Sequence, residues 1–167
     1  MISGGIFGPK LSGKTTLAIK LSQQYWISQQ RKSLVLDPHN EPWGNQAMVF
    51  QDEDKFWGAV WGSTNSLIIV EEAAATIRRE RELVPVFTRL RHNHHLLLIV
   101  GHSGMDLLPV MRQQLDTIYL FRQPISAAKV WAETFTNDAL LQSVSLQQYE
   151  FIHATLYGQA QRMKLKL

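Results

Sequence analysis

The chain contains no cysteine, which excludes disulfide bonds and thiolate metal sites within it. Long apolar runs are also missing, and the longest, Leu96–Val100, is far shorter than the roughly 20 residues that span a bilayer. The first residues show no basic segment followed by a long apolar one, so no signal peptide is predicted. These absences favour a cytoplasmic protein without a transmembrane segment, although docking onto a membrane protein stays open.

Low-complexity tracts and internal repeats are absent as well. Hydrophobic residues make up 45% of the 167 positions, which is typical of a globular chain rather than a disordered one. A chain of this length predicts one domain, residues 1–167, with a substantial core. The formal net charge of +3 permits an anionic partner without requiring one.

What the sequence does contain is a phosphate-binding motif near its start. Gly8, Gly13, Lys14 and Thr15 satisfy G-x-x-x-x-G-K-[ST] between a short apolar segment and an amphipathic one. Glycines let backbone N–H groups converge on phosphate oxygens, the lysine adds positive charge near the β- and γ-phosphates, and the threonine hydroxyl can ligate Mg²⁺. The motif therefore predicts a nucleotide site with a bound cation. Its phosphate-binding residues are Gly8, Pro9, Lys10, Leu11, Ser12, Gly13, Lys14, Thr15 and Thr16.

Hydrophobic periodicity predicts alternating strands and helices, and hence an α/β fold. After the motif, strands are expected at Ser33–Leu36, Met48–Phe50, Leu67–Val70, Leu96–Gly101 and Thr117–Phe121. Helices are expected at Thr16–Gln30, Asp54–Trp61, about Pro85–His92, Met105–Gln114 and Ser126–Thr136. The last part of the chain, from Phe151 to Tyr157 and from Gln161 to Leu167, predicts a β-hairpin.

Two acidic residues, Glu71 and Glu72, follow the apolar run Leu67–Val70. An uninterrupted apolar run predicts a parallel strand covered on both faces, and carboxylates at its tip suit a Walker B site. In that interpretation Glu71 holds Mg²⁺ and Glu72 is the base that polarises the attacking water. The alternative is that the two acids merely begin the following polar segment.

Several basic residues lie between this strand and the next. Arg78, Arg79 and Arg81 form a basic segment that either contacts a polyanion or is a solvated surface, since Glu80 and Glu82 partly neutralise it. Arg91 stands at the predicted helix end, where it either reaches the γ-phosphate of a neighbouring subunit or caps its own helix. The nearby histidines do not favour zinc, because no carboxylate lies beside them. They are His92, His94 and His95.

His102 follows the strand Leu96–Gly101. In P-loop ATPases with an extra strand between the P-loop strand and the Walker B strand, a polar residue at this tip contacts the γ-phosphate. His102 is the candidate for that sensor, and an ordinary turn histidine is the alternative.

The order of these features resembles the HerA/FtsK superfamily. The resemblance includes the P-loop, Asp37-Pro38 after the second strand, Glu71-Glu72, Arg91-His92 and Tyr119–Arg122. Within that superfamily the pattern is most similar to the small genome-packaging ATPases of tailless, membrane-containing viruses and their Zot-like relatives.

The resemblance implies a RecA-like (ASCE) sheet of order 5-1-4-3-2 with helices on both faces and a C-terminal β-hairpin. It also implies an ATP- and Mg²⁺-dependent ATPase that forms a hexameric or pentameric ring, translocates double-stranded DNA and meets viral capsid or membrane vertex proteins, in the host cytoplasm or the virion. By match, Lys14 and Thr15 are Walker A, Glu71 and Glu72 Walker B, His102 the sensor and Arg91 the trans-acting arginine. The sequence departs from the family where Glu71 replaces the usual Asp and His102 the usual Gln or Asn.

Two other functions stay open at this stage. In a nucleotide or shikimate-type kinase, Asp37 would handle the phosphate acceptor, although Glu72 is more typical of a site that activates water. A nucleotide-stabilised assembly protein with little turnover is the third possibility, and the Glu71 departure permits it.

Overall fold

The computed structural model describes residues 3–72 and 80–166, with side chains in the second range from residue 86 onward. Strands and helices alternate along these ranges. The strands are β1 (Ser3–Phe7), β2 (Ser33–Leu36), β3 (Ala47–Phe50), β4 (Leu67–Val70), β5 (Leu96–Gly101), β6 (Thr117–Leu120), β7 (Glu150–Thr155) and β8 (Gln161–Lys164). The helices are α1 (Lys14–Gln29), α2 (Glu53–Trp61), α3 (Glu80–His92), α4 (Pro109–Arg112) and α5 (Ile125–Phe135), followed by a 3₁₀ segment at Asp138–Ser145.

The described strands form one sheet in the order β3-β2-β4-β5-β1-β6-β7-β8. Strands β1 to β6 pair in parallel, and β7 and β8 pair antiparallel as a hairpin. The predicted order 5-1-4-3-2 is confirmed in the central five strands, β6-β1-β5-β4-β2. Strand β3 extends the sheet beyond β2, and the hairpin extends it beyond β6. The carboxyl ends of β1 and β4 therefore lie on the same edge of the sheet, with only β5 between them.

The central strands are apolar on both faces, as parallel strands covered by helices must be. In β4, Ile68 and Val70 enter one hydrophobic cluster while Leu67 and Ile69 enter the other. All four residues are buried. This alternation explains why the sequence shows an unbroken apolar run here.

Helices cover both faces of the sheet, as expected. Helix α1 packs on one face through Leu17 and Ala18, in the cluster that also contains Phe151 and Leu165 of the C-terminal hairpin region. Each of the other described helices contributes buried apolar residues to the cluster on the opposite face, among them Phe56, Phe87, Met111 and Trp131. The P-loop helix and the hairpin thus share one face. None of the helices in the described ranges has the length and hydrophobicity needed to cross a bilayer.

Two helix predictions were wrong in extent, and proline accounts for both. Helix α3 begins at Glu80, earlier than the predicted start at about Pro85, and it runs through that proline. Pro85 removes one backbone hydrogen bond, yet the helix is held against the sheet by Phe87 and Leu90, which are buried.

The helix predicted over Met105–Gln114 shrinks to α4, Pro109–Arg112. Leu108 is extended, with ψ of 143°, because the residue before a proline is pushed out of the helical region. Proline is tolerated at the first helical position, so the helix can begin only there. The 3₁₀ segment at Asp138–Ser145 was not predicted at all.

Candidate nucleotide site

The loop that joins β1 to α1 has the conformation of a phosphate cradle. Gly13 caps α1 with φ of +105°, a left-handed conformation that glycine adopts without strain. The N–H of Leu17 then donates to the Gly13 carbonyl at 2.9 Å, which starts the helix. The first N–H groups of α1 have no partner within the helix, and they favour an anion at this point.

Gly8 lets the loop pack closely against the end of β6. A side-chain carbon at this position would stand 2.5 Å from Cβ of Phe121, so even alanine would displace one of the two. The Gly8 N–H also donates to the carbonyl of Gly101 at 3.3 Å, which ties the loop to the end of β5. The two motif glycines therefore serve different needs, close packing at Gly8 and a positive φ at Gly13.

The ammonium group of Lys14 points back into its own loop. It donates a 2.9 Å hydrogen bond to the carbonyl of Pro9. Partial burial lowers the pKa of Lys14, while the nearby carboxylates Glu71 and Glu72 act in the opposite direction. Because electrostatic attraction is stronger where water is partly excluded, a phosphate that replaced the Pro9 carbonyl would interact strongly with the Lys14 ammonium group.

Glu71 meets the P-loop at the carboxyl end of β4. Its carboxyl group accepts a hydrogen bond from the side chain of Thr15, and only 4% of the residue is exposed. Burial raises the pKa of Glu71 to about 7, and the Thr15 hydrogen bond and Lys14 oppose that rise. The pair predicted to hold the cation is therefore in direct contact.

This pair fits a magnesium ion. Mg²⁺ takes oxygen ligands and is usually held by one or two carboxylates together with phosphate oxygens and water. Glu71 and Thr15 offer a carboxylate and a hydroxyl next to the phosphate cradle. Among the described residues no group of three His, Asp or Glu is placed to hold a metal, so the remaining ligands would come from phosphate and water.

Glu72 lies beside a residue that the sequence analysis overlooked, His39. Nε2 of His39 is 3.2 Å from Oε2 of Glu72. This hydrogen bond raises the pKa of His39 above its ordinary value, and the charges of Asp37 and Glu41 act in the same direction. Strands β2 and β4 are neighbours, so the loop after one meets the residues after the other. The adjacency of β2 and β4 was therefore the signal from which the contact between His39 and Glu72 could have been predicted.

Asp37 organises the loop that carries His39. Its carboxylate accepts hydrogen bonds from the N–H of His39 at 2.9 Å, the N–H of Glu41 at 2.8 Å and Nε1 of Trp43 at 2.9 Å. The residue is buried and these three donors fix it in place. Asp37 therefore has a structural task, which argues against the kinase role considered for it.

The other two predicted catalytic residues lie at opposite ends of β5. His102 follows the strand at the edge where the P-loop lies, and its carbonyl lies 3.5 Å from Nε2 of the buried Gln123. Arg91 precedes the strand at the end of α3, and its side chain is exposed. A six-residue strand separates them by about 20 Å. The structure thus brings His102 to the site of its own chain and keeps Arg91 away from it.

The remaining basic and histidine predictions are either outside the described residues or structural in role. Arg78 and Arg79, and the side chain of Arg81, lie outside the described residues. His95 is buried and structural, since Nδ1 accepts from the N–H of Ser66 at 3.1 Å and Nε2 lies 3.2 Å from the Val60 carbonyl.

Comparison with solved structures gives strong similarity at low sequence identity. The genome-packaging NTPase B204 of Sulfolobus turreted icosahedral virus 2, in complex with AMPPCP, matches with a TM-score of 0.79 and 20% identity, over 99% of this chain and 97% of that chain. VirB4 of Thermoanaerobacter pseudethanolicus matches with a TM-score of 0.76 and 10% identity, over 99% of this chain and 89% of that one. The fold is that of HerA/FtsK-like P-loop ATPases.

The same fold extends to the N-terminal domain of the zonular occludens toxin from Neisseria meningitidis, with a TM-score of 0.57 and 13% identity over 99% of this chain and 93% of that chain. The resemblance to HerA/FtsK and Zot-like proteins seen in the sequence is thus confirmed for the fold. No protein-family model and no curated protein matches the sequence.

Proposed function

We propose that the chain binds ATP with Mg²⁺ and hydrolyses it. The observation that carries this proposal is the meeting of Thr15 with Glu71, because it joins the phosphate cradle to a buried carboxylate at the cation position. Lys14 supplies charge to the phosphates, and Glu72, next along the chain, is the base that takes a proton from the attacking water. His102 stands at the same edge, where it can sense the γ-phosphate.

We further propose that subunits assemble into a ring and that hydrolysis drives movement of double-stranded DNA. The similar structure B204 is a genome-packaging NTPase, which supports movement of DNA. The position of Arg91 supports the ring, because it lies at the far end of β5 from its own P-loop and a role at a γ-phosphate would place it at the site of a neighbouring subunit. An arginine supplied in this way stabilises charge on the transferred phosphoryl group.

The DNA contacts are assigned to Arg78, Arg79 and Arg81, which remain a prediction from the sequence. Contacts with phosphates release counterions, so stimulation of ATP hydrolysis by double-stranded DNA should be independent of base sequence and fall steeply with salt. The test is the ATPase rate with and without long double-stranded DNA, at rising protein and salt concentrations, together with the native mass.

A triple variant with alanine at Arg78, Arg79 and Arg81 should lose the stimulation and keep its basal rate. The matched control removes the same charge from exposed positions elsewhere in the chain, Lys32, Lys55 and Lys129. Equal DNA stimulation in the two triple variants would return the three arginines to an ordinary solvated surface. ATP binding without hydrolysis under every condition would instead indicate an assembly protein, and phosphate transfer to a small acceptor faster than to water would indicate a kinase.

A further inference from the structure

The sheet order fixes which way a nucleoside triphosphate must lie on the P-loop. Thr15 and Glu71 are in contact and would hold the cation, which would place it at the γ-phosphate end of a bound nucleoside triphosphate. Glu71 follows β4, which lies on the β5 side of β1. The γ-phosphate therefore points toward β4, and the ribose and base leave the loop on the opposite side, toward β6, β7 and β8.

On that side the P-loop meets the C-terminal hairpin region. A side-chain carbon at Gly13 would stand 3.0 Å from Cδ2 of Leu165 and 3.1 Å from Cδ1 of Tyr149. The amide of Gln148 donates to the carbonyl of Leu11 in the loop at 3.1 Å. A tyrosine and a leucine thus stand against the exit of the phosphate cradle, on the face of the sheet that α1 covers.

The backbone around Tyr149 is held in place. Its carbonyl accepts a 2.8 Å hydrogen bond from the N–H of Leu165. The next residue, Glu150, accepts from the N–H of Gln147 at 2.9 Å and from Nη2 of Arg162 at 2.5 Å. The side chain of Tyr149 is itself half-buried against the cluster that contains Leu165, and a ring packed in this way loses little freedom when a planar ligand stacks on it.

We infer that Tyr149 and Leu165 form the subsite for the planar base of the bound nucleoside triphosphate. The ring of Tyr149 stacks on the base, and Leu165 packs beside Tyr149 at the same end of the phosphate cradle. Stacking of this kind tolerates different bases, since every base has a π-face. The inference rests on the proposed function, because it concerns the far end of the same ligand.

The test compares two ligands that share the phosphates and differ in the base. A non-hydrolysable ATP analogue and inorganic tripolyphosphate are titrated by calorimetry, with Mg²⁺, into the full-length chain. Tyr149→Ala should weaken binding of the ATP analogue by about 5- to 100-fold, the range for loss of one aromatic stacking contact. It should leave tripolyphosphate affinity within about twofold of wild type, since no phosphate contact is lost.

Two further variants separate stacking from structure. Tyr149→Phe keeps the ring and should bind both ligands as wild type does. Tyr157→Ala removes a fully exposed tyrosine from the turn between β7 and β8 and should change neither affinity.

Three results overturn the base subsite. The first is an equal loss of affinity for both ligands in Tyr149→Ala, which would show that the residue supports the phosphate cradle instead. The second is unchanged affinity for both ligands in that variant. The third is a wild-type chain that binds the two ligands with equal affinity. If the wild-type chain binds neither ligand, the proposed function fails, and the base subsite fails with it.

Discussion

His39 hydrogen-bonds Glu72, the residue assigned to activate water, with 3.2 Å between Nε2 and Oε2. The imidazole carries a positive charge when it is protonated, and Glu72 stabilises that form and so raises the pKa of His39. A carboxylate held by an imidazolium is a weaker base than a carboxylate held by a neutral ring. The protonation of His39 should therefore govern how strongly Glu72 can act.

The first prediction follows for the pH dependence of turnover. Because the pKa of His39 is raised from 6.5, the inhibiting imidazolium persists to a higher pH than that of an ordinary histidine. At saturating ATP and Mg²⁺, kcat should rise with pH through this raised pKa and then level off. His39→Asn is neutral throughout, so this limb of the profile should disappear in steady-state ATPase assays.

The matched control is His94→Asn, at an exposed position beyond α3 whose φ of +57° asparagine tolerates. Its pH profile should be that of wild type. The same rising limb in His39→Asn and in wild type would show that another group causes it.

The second prediction concerns the stability of the nucleotide-free protein. The pKa of Glu71 is about 7 in the folded chain and 4.5 in the reference state, so folding favours its protonated form. The cost of the buried charge is absent well below pH 4.5, grows as pH rises through 7 and is constant above that. Glu71→Gln should thus raise the free energy of unfolding at pH 8 by up to about 3 kcal/mol.

Urea denaturation at pH 8 and pH 4.5 measures this difference. The gain should shrink at the lower pH, where Glu71 is protonated in the folded state and about half protonated in the unfolded state. Glu133→Gln, at an exposed position on α5, provides the control and should be neutral at both values. A Glu71→Gln protein that is less stable than wild type at pH 8 would mean that the ligand-free site stabilises the Glu71 carboxylate instead of destabilising it.

Glu71 and His39 also show how far the sequence could predict the site. Glu71 was assigned from its place after an apolar run, since such a run must be a buried strand and parallel strands end on one edge. The contact with His39 depends on which strands are neighbours, and periodicity along the chain does not contain that information. Tyr149 was missed for the same reason, because it reaches the P-loop from more than 130 residues away.

The fold likewise has parts that the sequence predicts and parts that it does not. The bounds of β2, β4 and β5 were predicted correctly because each strand is built on an unbroken apolar run. Helix α3 was predicted too short, because packing of Phe87 and Leu90 offsets the effect of Pro85, and such packing is invisible in local propensity. The sheet order was available only through the family resemblance.

The third prediction is that the active site is shared between subunits. Arg91→Ala should bind ATP normally and be inactive, since an arginine that acts in the transition state adds little to ground-state affinity and can contribute roughly 10³ to 10⁵ in rate. Mixing it with Glu72→Gln should recover activity, because some interfaces then pair an intact Glu72 with an intact Arg91. Specific activity of the wild-type chain should also rise with protein concentration.

Arg89→Ala is the control from the same helix. The Arg89 guanidinium lies 4.3 Å from the ring centroid of Trp61, so its loss should affect packing and leave turnover intact. Turnover that is independent of concentration, with no recovery on mixing, would assign Arg91 to its own helix end and weaken the ring model.

The most direct test of ATP hydrolysis at this site is a comparison of Glu72→Gln and Lys14→Ala with wild type in two assays, ATP binding and ATP turnover. If Glu72 is the base, Glu72→Gln should bind ATP as wild type does and turn it over at least about 100-fold more slowly, the scale of general-base loss. Lys14→Ala should lose tight binding, because it removes the ammonium group assigned to the β- and γ-phosphates. Wild-type turnover in Glu72→Gln would contradict the assignment.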